Sequence, residues 1–447
     1  MVRNIVGRDR PGNICMKKTQ SSRERLEQAL ARIADPKGEG KRACLTVYAE
    51  EARAAADAAD ARAAHGVSLG PLDGAIVSIK DLFDVAGEKT RAGSKVLAEE
   101  AKPAQADAPI VRRLRSAGAV IVAKTNMTEF AFSSLGANPH FGTPGNPADR
   151  ARVPGGSSAG AAVAAADGMC EIAIGSDTGG SVRIPAALCG IAGFKPTKRR
   201  VPTDGAFPLS FTLDSVGPLA RSVADCANAD AVMAGHEPAP LEPLSLDGLR
   251  LGLDEAMPLD GLDNTVAAAF AAAIKRLDDA GLRISTEQIS LFDDMNEILA
   301  KGGIPPAEAC AIHRERLARR GADVDPNVRA RIEKGCAMPV ADYVETLQTR
   351  ARLIRAMDRR LATLDALVMP TCPIVAPTIA EVADQKTFFA RHNLLIRNTA
   401  IGNFFDLCAV SLPLKVPLPV GLMLVGRHGS DRALLRIAAA VEKALVD

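Results

Sequence analysis

The sequence predicts an α/β fold: one compact domain in which buried strands are covered by helices. Three observations lead there. Short apolar runs such as "GAIVSIKD" (74–81) and "CEIAIGSD" (170–177) alternate with segments of helical spacing, the pattern of strands packed between helices. The breaks between them are short stretches rich in glycine and proline, which read as loops rather than interdomain linkers. No internal repeat or low-complexity segment divides the 447 residues.

Taken in order, residues 1–20 are basic and lack the apolar stretch of a signal peptide; they read as a flexible N-terminal extension, with Met16 a candidate alternative start. The domain is expected over 21–447. "SRERLEQALARIAD" and "AEEARAAADAADARAAHG" have helical spacing, the first opened by Ser21 or Ser22 as a cap with Glu24 in its first turn. "GAIVSIKD" reads as a buried strand ending in Lys80, and "DAPIVRRLRSAGAVIVAKTN" (107–126) as helix, glycine cap and strand. "GTPGNPADRARVPGGSSAG" (142–160) is irregular, and the small-residue helix "AGAAVAAADG" follows it. After "CEIAIGSD", Pro185 suits the first turn of a helix. The strand "LRLGLDE" (249–255) reopens the α/β pattern, and 262–365 reads as mostly helical. "LDALVMP" and "LPVGLMLVG" are late strands, and "DRALLRIAAAVEKAL" is a closing helix. The core is therefore expected at 67–245 and 360–447, around a mostly helical variable insertion at about 256–360.

Composition narrows the function. Apolar residues make up 47% and charged residues 24%, an ordinary globular balance, and the net charge is +2. That gives no bulk electrostatic reason to bind nucleic acid or an anionic membrane. There is no Trp and there are only two Tyr, too few for a base-stacking platform. No apolar run reaches membrane-spanning length. The nine cysteines include no C-x-x-C pair, which reads as reduced thiols in the cytoplasm rather than a disulfide framework or zinc site. The arginines between Arg314 and Arg320 read as a solvated helix face, with an anion-binding face as the sharper alternative.

Three polar groups fall at strand ends or in glycine-rich loops: Lys80, Ser157 and Ser181, the places where α/β proteins hold ligands. In "IGSDTGGSVRIPAALCGIAGFKP" (174–196), the glycines let the amides of Thr178 through Ser181 form a concave, anion-binding nest. A tight turn carrying an exposed serine is the plainer alternative. "GSSAG" (156–160) matches the G-x-S-x-G nucleophile elbow with Ser158 at its centre. However, no strand precedes it, and His236, His313, His392 and His428 sit in ordinary surroundings. A phosphate loop also fails, because no G-K-[ST] follows the glycines. Lys80 follows an apolar run, where desolvation lowers its pKa and can leave a neutral amine able to act as a base; snorkelling to solvent is the alternative.

Together "SIKDLFDVAG", "AKTNMTEFA", "GTPGNP", "PGGSSAGAAVAAA" and "IGSDTGGSVRIPAALCGIAGFKPT" resemble the amidase signature family, from about residue 22 to the C-terminus. The resemblance implies an α/β/α domain on a large mixed, mostly parallel twisted sheet. It also implies catalysis by Ser181 as nucleophile, Ser157 as proton relay after a cis Gly156–Ser157 bond, and Lys80 as base. Thr178, Gly179 and Gly180, with the Ser181 amide, would form the oxyanion hole, and the backbone at Ala131 would line the acyl pocket. Ser158 would steady the relay; Asp177 and Arg183 would brace the loop as a buried charge pair. Cys189 lies in the motif without a catalytic part and reads as a small buried hydrophobe. No metal or cofactor is implied.

The implied reaction is hydrolysis of a small-molecule amide to acid and ammonia or an amine. The implied partner is that amide alone, with no nucleic acid and no membrane, and a homodimer is allowed. "FPLSFTLDSVGPLARSVAD" (207–225) resembles the stand-alone branch. The alternatives are the glutamine-hydrolysing component of a tRNA-dependent amidotransferase and a catalytically silent binding protein.

Overall fold

The structure is a computed structural model describing residues 20–446, so the expected N-terminal extension lies outside the described residues except for Gln20. Eleven strands form one sheet: β1 (Cys44–Val47), β2 (Ile76–Lys80), β3 (Val120–Thr125), β4 (Ile172–Asp177), β5 (Ala192–Lys195), β6 (Ser215–Ala220), β7 (Arg250–Asp254), β8 (Arg283–Glu287), β9 (Ala366–Pro370), β10 (Cys408–Leu414) and β11 (Val420–Gly426). Their spatial order is β1-β3-β2-β4-β6-β5-β10-β11-β9-β7-β8. Helices cover the sheet, as expected of an α/β fold. β2, β3, β4, β9 and β11 are buried at every position, which explains why the sequence shows them as apolar runs; β6, also buried throughout, carries Ser215, Gly217 and Pro218 and gave no such run.

The expectation of a mostly parallel sheet is corrected. Four pairings are parallel (β2–β3, β2–β4, β7–β8, β7–β9) and six antiparallel. Parallel neighbours need a crossover, whereas β10 and β11 are joined by a short turn that can only reverse the chain.

The local signals explain most elements. Ser21, rather than Ser22, caps the helix Ser22–Ala34: its hydroxyl accepts from the Glu24 amide at 3.1 Å, and Glu24 accepts from the Ser21 amide at 2.9 Å. The helix Ala159–Ala166 consists of small residues because it is packed hard against its neighbours: a Cβ on Gly160 would stand 2.4 Å from the Ala43 carbonyl oxygen. The region expected as a helical insertion does carry the helices Leu291–Ala300, Ile304–Arg320, Pro326–Cys336 and Val340–Arg360. It also contributes β8, an edge strand whose polar sequence "RISTE" and exposure hid it from apolar periodicity.

The expectation of reduced thiols throughout is corrected at one pair. Cys310 and Cys336 form a disulfide with Cα atoms 5.2 Å apart, linking the helices Ile304–Arg320 and Pro326–Cys336; their separation of 26 residues gave no motif to read. Cys44, Cys170, Cys189, Cys226, Cys372 and Cys408 are buried free thiols.

Candidate active site

β2 and β4 run parallel in register Val77↔Ile172, Ser78↔Ala173, Ile79↔Ile174. Their C-terminal ends therefore lie side by side, carrying Lys80 and Asp177 to the same end of two adjacent interior strands. Lys80 is fully buried and its Nζ donates to Ser157 Oγ at 2.7 Å and to Ser176 Oγ at 2.9 Å. Burial pushes its pKa down to about 7, with Asp177 and Asp214 opposing the shift. The lysine does not snorkel.

The Gly156–Ser157 peptide is cis. Gly156 donates its amide to Ser134 O at 2.7 Å, and Ser157 O accepts from the Thr128 amide at 3.1 Å. Ser158 spans the two serine segments: its amide donates to Ser181 O at 3.3 Å and its Oγ to Ser176 O at 3.3 Å.

Ser181 closes the loop between β4 and the helix Arg183–Cys189 and is 8% exposed. Asp177 and Arg183, both fully buried, form a two-pronged pair at 2.9 and 3.0 Å. Burial alone pushes the Asp177 carboxyl up, but Arg183, then Lys195 and Asn403, overcome this and hold it at about 2. Arg183 also donates to Thr399 O at 2.8 Å and Asn403 Oδ1 at 2.7 Å, while Asp177 accepts from the Val182 amide at 3.1 Å. Within the loop, Thr178 Oγ1 donates to Asp214 Oδ1 at 2.6 Å, and Gly179 O accepts from Thr399 Oγ1 at 2.6 Å. Gly180 has φ +137° and a Cβ there would meet Thr399 Oγ1 at 2.2 Å, so only glycine fits.

A cavity of about 270 Å³ opens beside this loop, lined by Ser176, Thr178, Ala131, Asp214, Phe207 and Phe211 among others. Ala131 and Phe130 both hold positive φ (59° and 51°), which turns the Ala131 backbone into the wall. Of the candidate site residues, Lys80 is hydrogen-bonded to Ser157, Ser158 to the Ser181 carbonyl and Asp177 to Arg183, while Thr178 and Ala131 line the cavity and none of the histidines does. His392 is buried against Ser134. His313 departs from the ordinary surroundings expected of it: it is fully buried, 4.1 Å from the Phe130 ring centroid, behind the cavity wall.

Sequence reasoning missed Ser176, Asp214, Thr399 and Asn403. Ser176 adjoins Asp177 in a strand read as apolar. Thr399 and Asn403 lie on the long helix Gln385–Phe404, 220 and 226 residues from their partners Gly179 and Asp177, and carry no local signal.

The amidase family model matches residues 24–435. The chain belongs to the amidase signature family. This amidase is 37% identical to the 2-amino-5-chloromuconic acid deaminase of Comamonas testosteroni over 88% of its own length and 86% of the relative's. It is also 37% identical to the A-type subunit of glutamyl-tRNA(Gln) amidotransferase from Anaeromyxobacter sp. (strain K), over 96% and 94% of the two chains. A crystal structure of an amidase superposes with a TM-score of 0.85 at 33% identity, covering 95% of this chain and 96% of the other. The chain is accordingly a hydrolase of C–N amide bonds. Among its described residues, no helix is long and apolar enough to cross a membrane.

Proposed function

We propose that this amidase hydrolyses a small-molecule carboxylic amide to its acid and ammonia (or an amine) through an acyl-enzyme on Ser181. The observation that carries the reading is a buried lysine, held at a pKa of about 7, in hydrogen-bond contact with Ser157. Neutral Lys80 takes the Ser157 proton as Ser157 takes the Ser181 proton, and Ser181 Oγ bonds to the amide carbon. The amides of Thr178, Gly179, Gly180 and Ser181 stabilise the resulting oxyanion. The tetrahedral adduct collapses by breaking the C–N bond, and Ser157 returns a proton to the leaving nitrogen from Lys80. Water then attacks the ester by the same relay, releasing acid and free Ser181. Ala131 bounds the acyl side, Ser158 and the Asp177–Arg183 pair hold the loop in shape, and no metal or cofactor takes part.

The test is labelling with a fluorophosphonate followed by mass spectrometry, together with ammonia release from a panel of primary amides. An adduct on Ser181 and turnover of at least one amide are expected. No adduct and no ammonia from any amide would overturn the reading in favour of a silent binding protein. The likeness to the glutamyl-tRNA(Gln) amidotransferase component supports a second reading, glutamine hydrolysis feeding a partner. Glutaminase activity appearing only when the other amidotransferase components are added would select it.

A further inference from the structure

The backbone around Ser157 is held from both sides. The Ser157 carbonyl accepts from the Thr128 amide, and the Gly156 amide just before it donates to Ser134 O at 2.7 Å. The segments 133–136 and 155–156 lie in close contact. A Cβ on Gly156 would stand 2.6 Å from the Gly136 nitrogen, and one on Gly136 would stand 2.4 Å from the Gly155 carbonyl oxygen. The path of residues 133–136 therefore sets where Gly156, and with it the Ser157 hydroxyl, comes to lie.

What holds that path comes from far along the chain. Ser134 and His392, the latter on the helix Gln385–Phe404, are both buried; Ser134 Oγ lies 2.7 Å from His392 Nδ1 and 3.2 Å from the His392 carbonyl oxygen. Arg331, on the helix Pro326–Cys336, donates through Nη1 to His392 Nε2 and to Phe132 O, and its guanidinium lies 4.0 Å from the Phe132 ring centroid. Burial, then the Arg331 charge, push the His392 pKa well below its ordinary value, so the ring is neutral and carries one proton. A guanidinium offers only donors, so Nε2 is the acceptor and the proton sits on Nδ1. Nδ1–H then donates to Ser134 Oγ, whose own hydrogen goes to His392 O. The Ser134 amide, 3.1 Å from the same Nδ1, meets an N–H and not a lone pair, so it is no donor to the ring.

We propose that His392 is a positioning residue for the amide hydrolysis: by clasping Ser134 it fixes the carbonyl that receives the Gly156 amide, and so holds the Ser157 hydroxyl within reach of Lys80. This rests on the proposed function, in which Ser157 relays the proton between Ser181 and Lys80. Neither His392 nor Ser134 lines the cavity, so the effect falls on the chemical step and leaves binding unchanged. Misplacing a reacting group by about 1 Å can cost on the order of 10²-fold in rate.

The experiment follows fluorophosphonate labelling of Ser181 over a range of probe concentrations. This separates the maximal labelling rate from the concentration that gives half of it, and mass spectrometry counts the final adducts per chain. His392→Phe is expected to lower the maximal rate by about tenfold or more, with the half-saturating concentration unchanged and the end point still one adduct per chain. Two variants tell the two ends of the ring apart. His392→Asn puts an amide N–H where Nδ1–H stood and is expected to recover most of the rate. His392→Gln offers Arg331 an acceptor without serving Ser134 and is expected to recover little. Ser134→Ala, which loses only the hydroxyl, is expected to slow labelling less than His392→Phe. An unchanged rate in His392→Phe, a loss accounted for by fewer adducts per chain or by a higher half-saturating concentration, or better rescue by Gln than by Asn overturns this inference alone. No adduct on Ser181 in the wild type overturns the parent reading.

Discussion

Two arginines near the candidate site are buried in opposite ways. Arg183 is wholly sealed: both prongs meet Asp177, and its remaining donors reach Thr399 and Asn403. Arg316 has two aromatic faces, one histidine and no counter-ion within 4 Å among the described residues. The first holds the loop carrying Ser181 by saturation, since no member can move without stranding a buried charge. The second is held between Phe130 and Phe207 and against His313, and it is not among the residues that line the cavity. Saturation of this kind marks a scaffold, a distinction that arginine type alone would not reveal.

The sharpest separation of scaffold from chemistry is Ser181→Ala. The expected loss in kcat is on the order of 10⁴-fold or more, measured as ammonia release, while the denaturation midpoint stays near that of the wild type because no bonded charge is disturbed. Arg183→Met is expected to destabilise the fold by roughly 3–5 kcal/mol in chemical denaturation, because Asp177 is left buried and unpaired. A stability close to wild type would break the comparison from the scaffold side. Arg316→Met should cost only roughly 1 kcal/mol, the scale of a cation–π contact; a loss as large as that of Arg183→Met would mean that Arg316 is also structural.

The smallest expected effect concerns proton balance. Lys80 acts as a base only when neutral, so kcat/KM should rise with pH through about 7 and fall below it. Its folded pKa lies below the unfolded value, so between the two the unfolded chain binds the extra proton, and this group's contribution to stability rises with pH. Asp214 pulls the Lys80 pKa upward. Asp214→Asn should therefore shift the acid limb of the rate profile to lower pH; an unmoved limb would show the two groups to be electrically independent.

Much of this architecture was readable in the sequence because local chemistry dictated it. The loop around Ser181 needs glycine at positive φ, and β2 and β4 need apolar residues on both faces, so both announced themselves. Lys80 drew notice because a charge at the end of such a run is anomalous. Strand direction and the edge strand β8 were not legible, since they depend on which segment lies next to which. The partners of Arg183 were hidden for the same reason: Thr399 and Asn403 are ordinary helix residues until the fold brings them beside the loop. His313 looked ordinary because its isolation exists only among the rings of Phe130 and Phe207.

The register between β2 and β4 has a kinetic corollary. A strand can shift its pairing only in whole residues, and a slip of one turns each side chain to the opposite face. The distance from Lys80 to the Ser181 loop is consequently discrete: a molecule either has the lysine beside the serines or lacks it altogether. Substitutions that loosen the sheet away from the site should reduce the number of competent molecules, with those that remain turning over at the full rate. Active-site titration with the fluorophosphonate would count fewer sites per mole of chain, each with an unchanged kcat.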